Sequence, residues 1–195
     1  MEFGEMELDG LIFNVKTYEG ESDTNLDVFV DKLDDGKPRD PGTPPFFMSS
    51  DEIHIQNGKF RLIDENLEKP ETLNFSEIEI SASDFQILGP DVSLKVDDLS
   101  TLAKRGIRLK KFAADFAYTK EQMRFDSLSI DTEQSELKGN LVFNYNREDL
   151  ANFVDLVNID ANFTDSKVAL HVVNALFAEF GQDKIVNFTG NLSGV

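Results

Sequence analysis

The sequence predicts a mostly β protein, on three observations. Apolar and polar residues alternate at strict period two through many segments. The stretch Leu137, Gly139, Leu141, Phe143, Tyr145, set against Lys138, Asn140, Val142, Asn144, Asn146, is the clearest case. Turn chemistry separates these segments, as at Asn57-Gly58 and Gly89-Pro90. The composition suits an apolar surface: hydrophobic residues make up 40 % of 195, with 17 Phe but only 3 Tyr and no Trp. Phe carries no polar ring atom and therefore favours dry surroundings.

Taken in order, Met6 and Leu8, then Leu11, Phe13 and Val15, predict a first strand kinked near Gly10. "LDVFVDKL" (26–33) predicts a second. Residues 34–45, "DDGKPRDPGTPP", hold four of the six prolines and predict a loop. "DEIHIQNGKFRLID" predicts a tight hairpin with a type I′ turn at Asn57-Gly58. That turn sets Ile55 opposite Phe60 and Ile53 opposite Leu62, with all four on one face.

Leu73 and Phe75, then Ile78, Ile80 and Ala82, show a slip in parity that predicts a bulge. Phe85 and Ile87, then Val92, Leu94 and Val96, flank the Gly89-Pro90 turn. Phe112, Ala114, Phe116 and Tyr118 lead through a four-residue turn to Met123 and Phe125. Strands also follow at Ile159–Phe163, at Val168 and Leu170, and at Val186–Leu192. Two short amphipathic helices are predicted between them. Leu150, Phe153, Val154 and Val157 fit the helical spacing, as do Val173, Leu176, Phe177 and Phe180.

Charge narrows the function classes. There are 37 acidic residues against 19 basic, a net charge of −18. Nucleic acid is not expected as a partner, because its binding needs clustered Lys and Arg. Anionic membrane surfaces should repel the chain. Cysteine is absent, which excludes disulfides and thiol catalysis. No run reaches the roughly 18 apolar residues of a membrane span. The acidic start "MEFGEMELDG" lacks the basic region of a signal peptide and is expected to lie inside a longer protein.

No catalytic or metal site is predicted. His54 alternates with Ile53 and Ile55 and should face outward, and neither it nor His171 has a partner at ligand spacing. "DKLDDG" (31–36) has Leu33 and Gly42 where a calcium loop needs oxygen ligands. Phosphate-loop, dinucleotide and nucleophile-elbow motifs are missing. The four Asn-x-Ser/Thr sites, at Asn74, Asn162, Asn187 and Asn191, are read as chance in an Asn-rich chain. On periodicity alone, a closed β-sandwich is the preferred architecture.

Four stretches carry a family resemblance: "ELDGLIFNVKTYEGESDTNLDVFV" (7–30), "IHIQNGKFRLID" (53–64), "FAADFAYTKEQMRFDSLSIDTEQSELKGNLVFNY" (112–145) and "VNFTGNLSGV" (186–195). With the strands between them, the chain resembles the AsmA-like superfamily of bacterial envelope proteins, which includes TamB-type members, and is most similar to Bacteroidota forms. The resemblance implies a long, strongly curved antiparallel sheet, folded lengthwise into an open apolar trough; the two helices are read from their own spacing as covers over part of the sheet, with ordinary core helices as the alternative. The resemblance also implies one β-rich segment over 1–195 of a longer, inner-membrane-anchored periplasmic protein.

The implied role is non-enzymatic transport of phospholipid between inner and outer membranes, with acyl chains shielded in the trough. No cofactor is implied, and membrane contact would belong to other parts of the parent protein. The lining expected from this resemblance is Ile53, Ile55, Phe60, Leu62, Phe116, Phe125, Leu128, Ile130, Leu141 and Phe143. The alternative is an interaction module that assists outer-membrane protein assembly, its exposed strand edges pairing with a β-barrel protein. A third class, a polysaccharide-active enzyme, would need an acid–base pair in a polar cleft, and the sequence marks none.

Overall fold

The computed structural model describes residues 1–33, 44–103, 106–146, 156–169 and 185–194. Ten strands form one open, curved sheet. They are β1 (Glu2–Asp9), β2 (Ile12–Thr17), β3 (Phe47–Asp64), β4 (Glu71–Leu88), β5 (Asp91–Ala103), β6 (Arg108–Tyr118), β7 (Gln122–Thr132), β8 (Glu136–Asn144), β9 (Asn158–Ala169) and β10 (Ile185–Gly194). From β3 to β10 each strand lies antiparallel to the next in sequence. The mostly β class is therefore observed.

The antiparallel expectation fails at one edge. Both β1 and β2 pair with β3 in parallel. They form one line along β3, broken at Gly10, whose φ is +69°. Gly10 N–H still donates to Gln56 O at 2.8 Å, and Lys59 N–H donates to Leu11 O at 2.8 Å. The predicted kink thus sits where expected. Parallel pairing requires a crossover, and α1 (Asn25–Leu33) lies in that connection.

Residues 26–33 are helix and not the predicted strand. A reciprocal capping box decides this. Asp27 N–H donates to Thr24 Oγ1 at 3.1 Å, while Thr24 N–H donates to Asp27 Oδ2 at 3.0 Å. The Asn25 side chain then bonds the free edge of β2: Lys16 N–H donates to its Oδ1 at 2.7 Å, and its Nδ2 donates to Asn14 O at 3.0 Å. This blunts part of an exposed strand edge.

The Asn57-Gly58 hairpin is also overturned. Residues 47–64 form a single strand, and β3 pairs with β4 so that Ile53 faces Ala82, Ile55 faces Ile80, Phe60 faces Phe75 and Leu62 faces Leu73. Asn57, with φ of +54°, is a bulge. Asn tolerates the left-handed region, so the same dipeptide serves a bulge as well as a turn. The bulge preserves one expectation: Ile53, Ile55, Phe60 and Leu62 still share a face.

The slip in parity between Phe75 and Ile78 is a bulge as predicted, at Glu77, and three further bulges were not foreseen. Glu77 and Asp84 in β4, Ser127 in β7 and Asp165 in β9 have φ between +43° and +53°. Each turns what alternation alone divides into two short segments into one long strand. The turns at Gly89-Pro90, between β4 and β5, and at Thr119–Glu121, between β6 and β7, are present.

The predicted loop is outside the described residues at 34–43, and the predicted helices are outside them at 147–155 and 170–184. The fold therefore does not show two short amphipathic helices. The helix it shows in full is α1, at a position where none was expected. Contacts between elements run between sheet neighbours or between α1 and β2, so no second layer covers the sheet among the described residues.

Candidate functional site: an apolar sheet face

Register places all ten expected lining residues on one face. Phe116 pairs with Phe125, and Phe125 with Leu141. One step toward the strand ends, Met123 pairs with Phe143. Two steps the other way, Ile130 pairs with Phe112 and with Leu137. Leu128, brought back to this face by the Ser127 bulge, sits opposite Gly139. These six residues lie together on β6–β8. Ile53, Ile55, Phe60 and Leu62 lie on the same face but on β3, three strands away from β6.

Rings join the lining into two clusters. Phe125 lies 5.1 Å from Phe116, 6.0 Å from Phe112 and 6.3 Å from Phe143, centroid to centroid. Phe60 lies 6.0 Å from Phe13 and 6.2 Å from Phe75. Edge and offset contacts of this kind are the favourable aromatic geometries. Phe13, Phe75 and Phe112 therefore belong to the apolar face, although sequence reasoning did not select them. The signal was present: they stand in phase with the chosen residues once each bulge is counted.

Burial distinguishes this face from an ordinary core. Leu128 is 3 % exposed, but the other nine lining residues are only half-buried. Toward the edges the face opens further: Phe3 is 42 % exposed, Phe13 45 % and Leu192 60 %. Full burial of such a side chain is worth ~1.5–3 kcal/mol, so much apolar surface here still has that gain available.

Four of the buried apolar positions form a band across mid-sheet. Ala82 pairs with Val96, and Val96 with Ala114; Leu128 follows on β7 and Gly139 on β8. Ala82, Ala114 and Leu128 are each 3 % exposed or less. Small side chains along this band let the flanking rows approach one another as the sheet curves. At Gly139 the fit is absolute, since an added Cβ would stand 1.9 Å from Asn162 O.

One end of the face carries tyrosines. Tyr145 stacks near Tyr118 at 6.4 Å and donates its hydroxyl to Thr119 O at 3.1 Å. Burial, with the Tyr118 hydroxyl nearby, raises the Tyr145 pKa to about 12.

The opposite face is polar. Lys138 pairs with Glu136 and Arg124 with Asp126. Lys95 pairs with Asp97 at 3.1 Å. The Asp97 carboxyl is held below its usual range first by the Ser83 hydroxyl and then by Lys95. Asn162 bonds Asn191, two of the four Asn-x-Ser/Thr positions. His54 faces outward as expected. It does, however, have partners that spacing did not reveal: Glu52 Oε2 at 3.3 Å and, across the parallel pairing, Glu5 Oε1 at 3.7 Å. Glu5 and Glu52 are exposed and His54 is half-buried, an arrangement that polar surface side chains commonly make.

In comparisons with known proteins, no protein-family model, no curated protein and no solved structure matches the chain.

Proposed function

We propose that this chain is a non-enzymatic, periplasmic segment of a bridge-like lipid transport protein, and that its apolar sheet face is the floor of a trough for phospholipid acyl chains. One observation carries the proposal: an apolar face spanning the sheet stays half-exposed, with no second layer on it among the described residues. A closed sandwich would bury its Phe and Leu side chains against a facing sheet. An acyl chain laid on this face gains ~0.8 kcal/mol per buried CH₂. It meets no directional partner there, so it is free to slide along the face, with its headgroup in water.

The resemblance to AsmA-like envelope proteins supports the same role and supplies the setting between inner and outer membranes. The test is mass spectrometry of what copurifies with the chain. The proposal expects phospholipid in stoichiometric amount, reduced when Phe125 and Leu141 are both changed to Asp. Lipid-free protein, or lipid retained in that variant, would contradict it.

A second function, strand pairing with an outer-membrane β-barrel protein, draws support from β10. Among the described residues this strand pairs with β9 alone, and its side chains are exposed wherever they are described. A stable complex formed without lipid would favour that role.

A further inference from the structure

The polar face holds a feature that lipid shielding does not use. Lys59 and Arg61 alternate with Phe60 and Leu62, so they stand on the face opposite the apolar lining. Arg61 lies between Asn14 on β2 and Asn74 on β4. Beside it is an open recess of about 370 Å³ whose lining includes Lys59, Arg61, Asn74, Ser76 and Leu102.

The charge of this recess runs against that of the chain. Acidic residues outnumber basic ones by 37 to 19, yet among the described residues none lines it. Elsewhere Lys16, Lys95, Arg108, Arg124 and Lys138 each have a carboxylate partner. The carboxylate tied to the recess wall is Glu71, which accepts from Asn74 Nδ2 at 3.1 Å. Arg61 is half-buried, and its Nε is fully buried with no acceptor among the described residues. A buried donor on a charged group without a partner is costly, and the side chain that carries it lines the recess.

We propose that this recess is a binding site for a small phosphate-bearing anion. The planar Arg61 fork matches two oxyanion oxygens, Lys59 adds a mobile point charge, and the Ser76 hydroxyl can turn its one proton from the long 3.4 Å bond to Leu102 O toward an anion. The site stands apart from the apolar face, so its success or failure is independent of lipid shielding. The phosphate belongs either to a soluble monoester or to a lipid headgroup.

Phosphorus NMR titration of the full chain at fixed ionic strength separates these. Inorganic phosphate and glycerol phosphate form one arm, and vesicles containing phosphatidic acid form the other. Binding in either arm should weaken at least tenfold in Arg61→Met, severalfold in Lys59→Met, and not at all in Lys110→Met, an exposed control. Circular dichroism checks that each variant folds, and Lys59→Met with Ser76→Ala carries the test if Arg61→Met does not. Binding by phosphate alone assigns a soluble ligand, and binding by vesicles alone assigns a headgroup. No binding in either arm at millimolar phosphate, or equal loss in Lys110→Met, would overturn the site.

Discussion

The backbone N–H of Ser127 donates to Asn140 Oδ1 at 3.0 Å, from the bulge of β7 to the side chain of β8. The same device recurs at two more bulges. Asn57 N–H donates to Glu79 Oε1 at 3.0 Å, and Asp165 N–H donates to Thr189 Oγ1 at 3.1 Å. A bulge removes one N–H from the ladder, and in each case a polar-face side chain of the next strand replaces the lost acceptor. The bulges that keep the apolar residues in phase are thus stabilised from the opposite face.

Asn140→Ala should therefore destabilise the chain by ~1 kcal/mol, the usual net worth of one hydrogen bond with water able to compete. Asn140→Asp keeps an acceptor and should cost less. Urea midpoints for the two variants check this; equal losses would mean that the bond does not support the bulge.

Gly139→Ala should be among the most damaging small substitutions, at ~2–4 kcal/mol, because the new Cβ would meet Asn162 O at 1.9 Å and β9 would have to move. Gly190→Ala is the contrast. Nothing lies within 4 Å of its Cβ position, so it should be close to neutral. Thermal melting of the pair measures the difference, and similar melting temperatures would refute the close approach of β8 to β9.

Alkali should loosen the tyrosine end of the face. The folded pKa of Tyr145 is raised from 10.0 to about 12. The stability tied to its neutral form is present below pH 10 and is lost as pH rises from about 10 through about 12, because the unfolded chain ionises first. Tyr145→Phe should lose the bond to Thr119 O, yet fall less steeply in stability across that interval. An identical alkaline slope in wild type and Tyr145→Phe would show that Tyr145 is not protected.

Much of this architecture was legible in the sequence, for definite physical reasons. Period-two alternation marks a half-buried strand wherever it occurs, and the shared face of Phe116, Phe125, Leu141 and Phe143 follows from it. The slip in parity at Glu77 marked a bulge, because a one-residue slip would otherwise carry every later side chain to the wrong face, whereas the bulge at Ser127 came only with the structure. Asn57-Gly58 misled because hairpin turns and bulges both need positive φ, and only the partner strand decides between them. Residues 26–33 misled because "VFV" favours a strand locally, while the Thr24–Asp27 box and the docking of Asn25 on β2 outweigh that preference. The parallel pairing of β1 and β2 with β3 has no local signature, since it depends on a crossover. Likewise, the buried Arg61 Nε, without a partner among the described residues, shows itself only once β3 and β4 are in register.

The most direct test of lipid shielding is site-specific photo-crosslinking in cells, with the probe placed at 116, 130 and 141 on the apolar face and at 138, 140 and 144 on the polar face. Period two separates the two sets by side and not by depth along the sheet. The account predicts phospholipid adducts from the first set and none from the second. Equal capture from both faces, or no capture from either, would contradict it and leave strand-edge pairing as the better function for this chain.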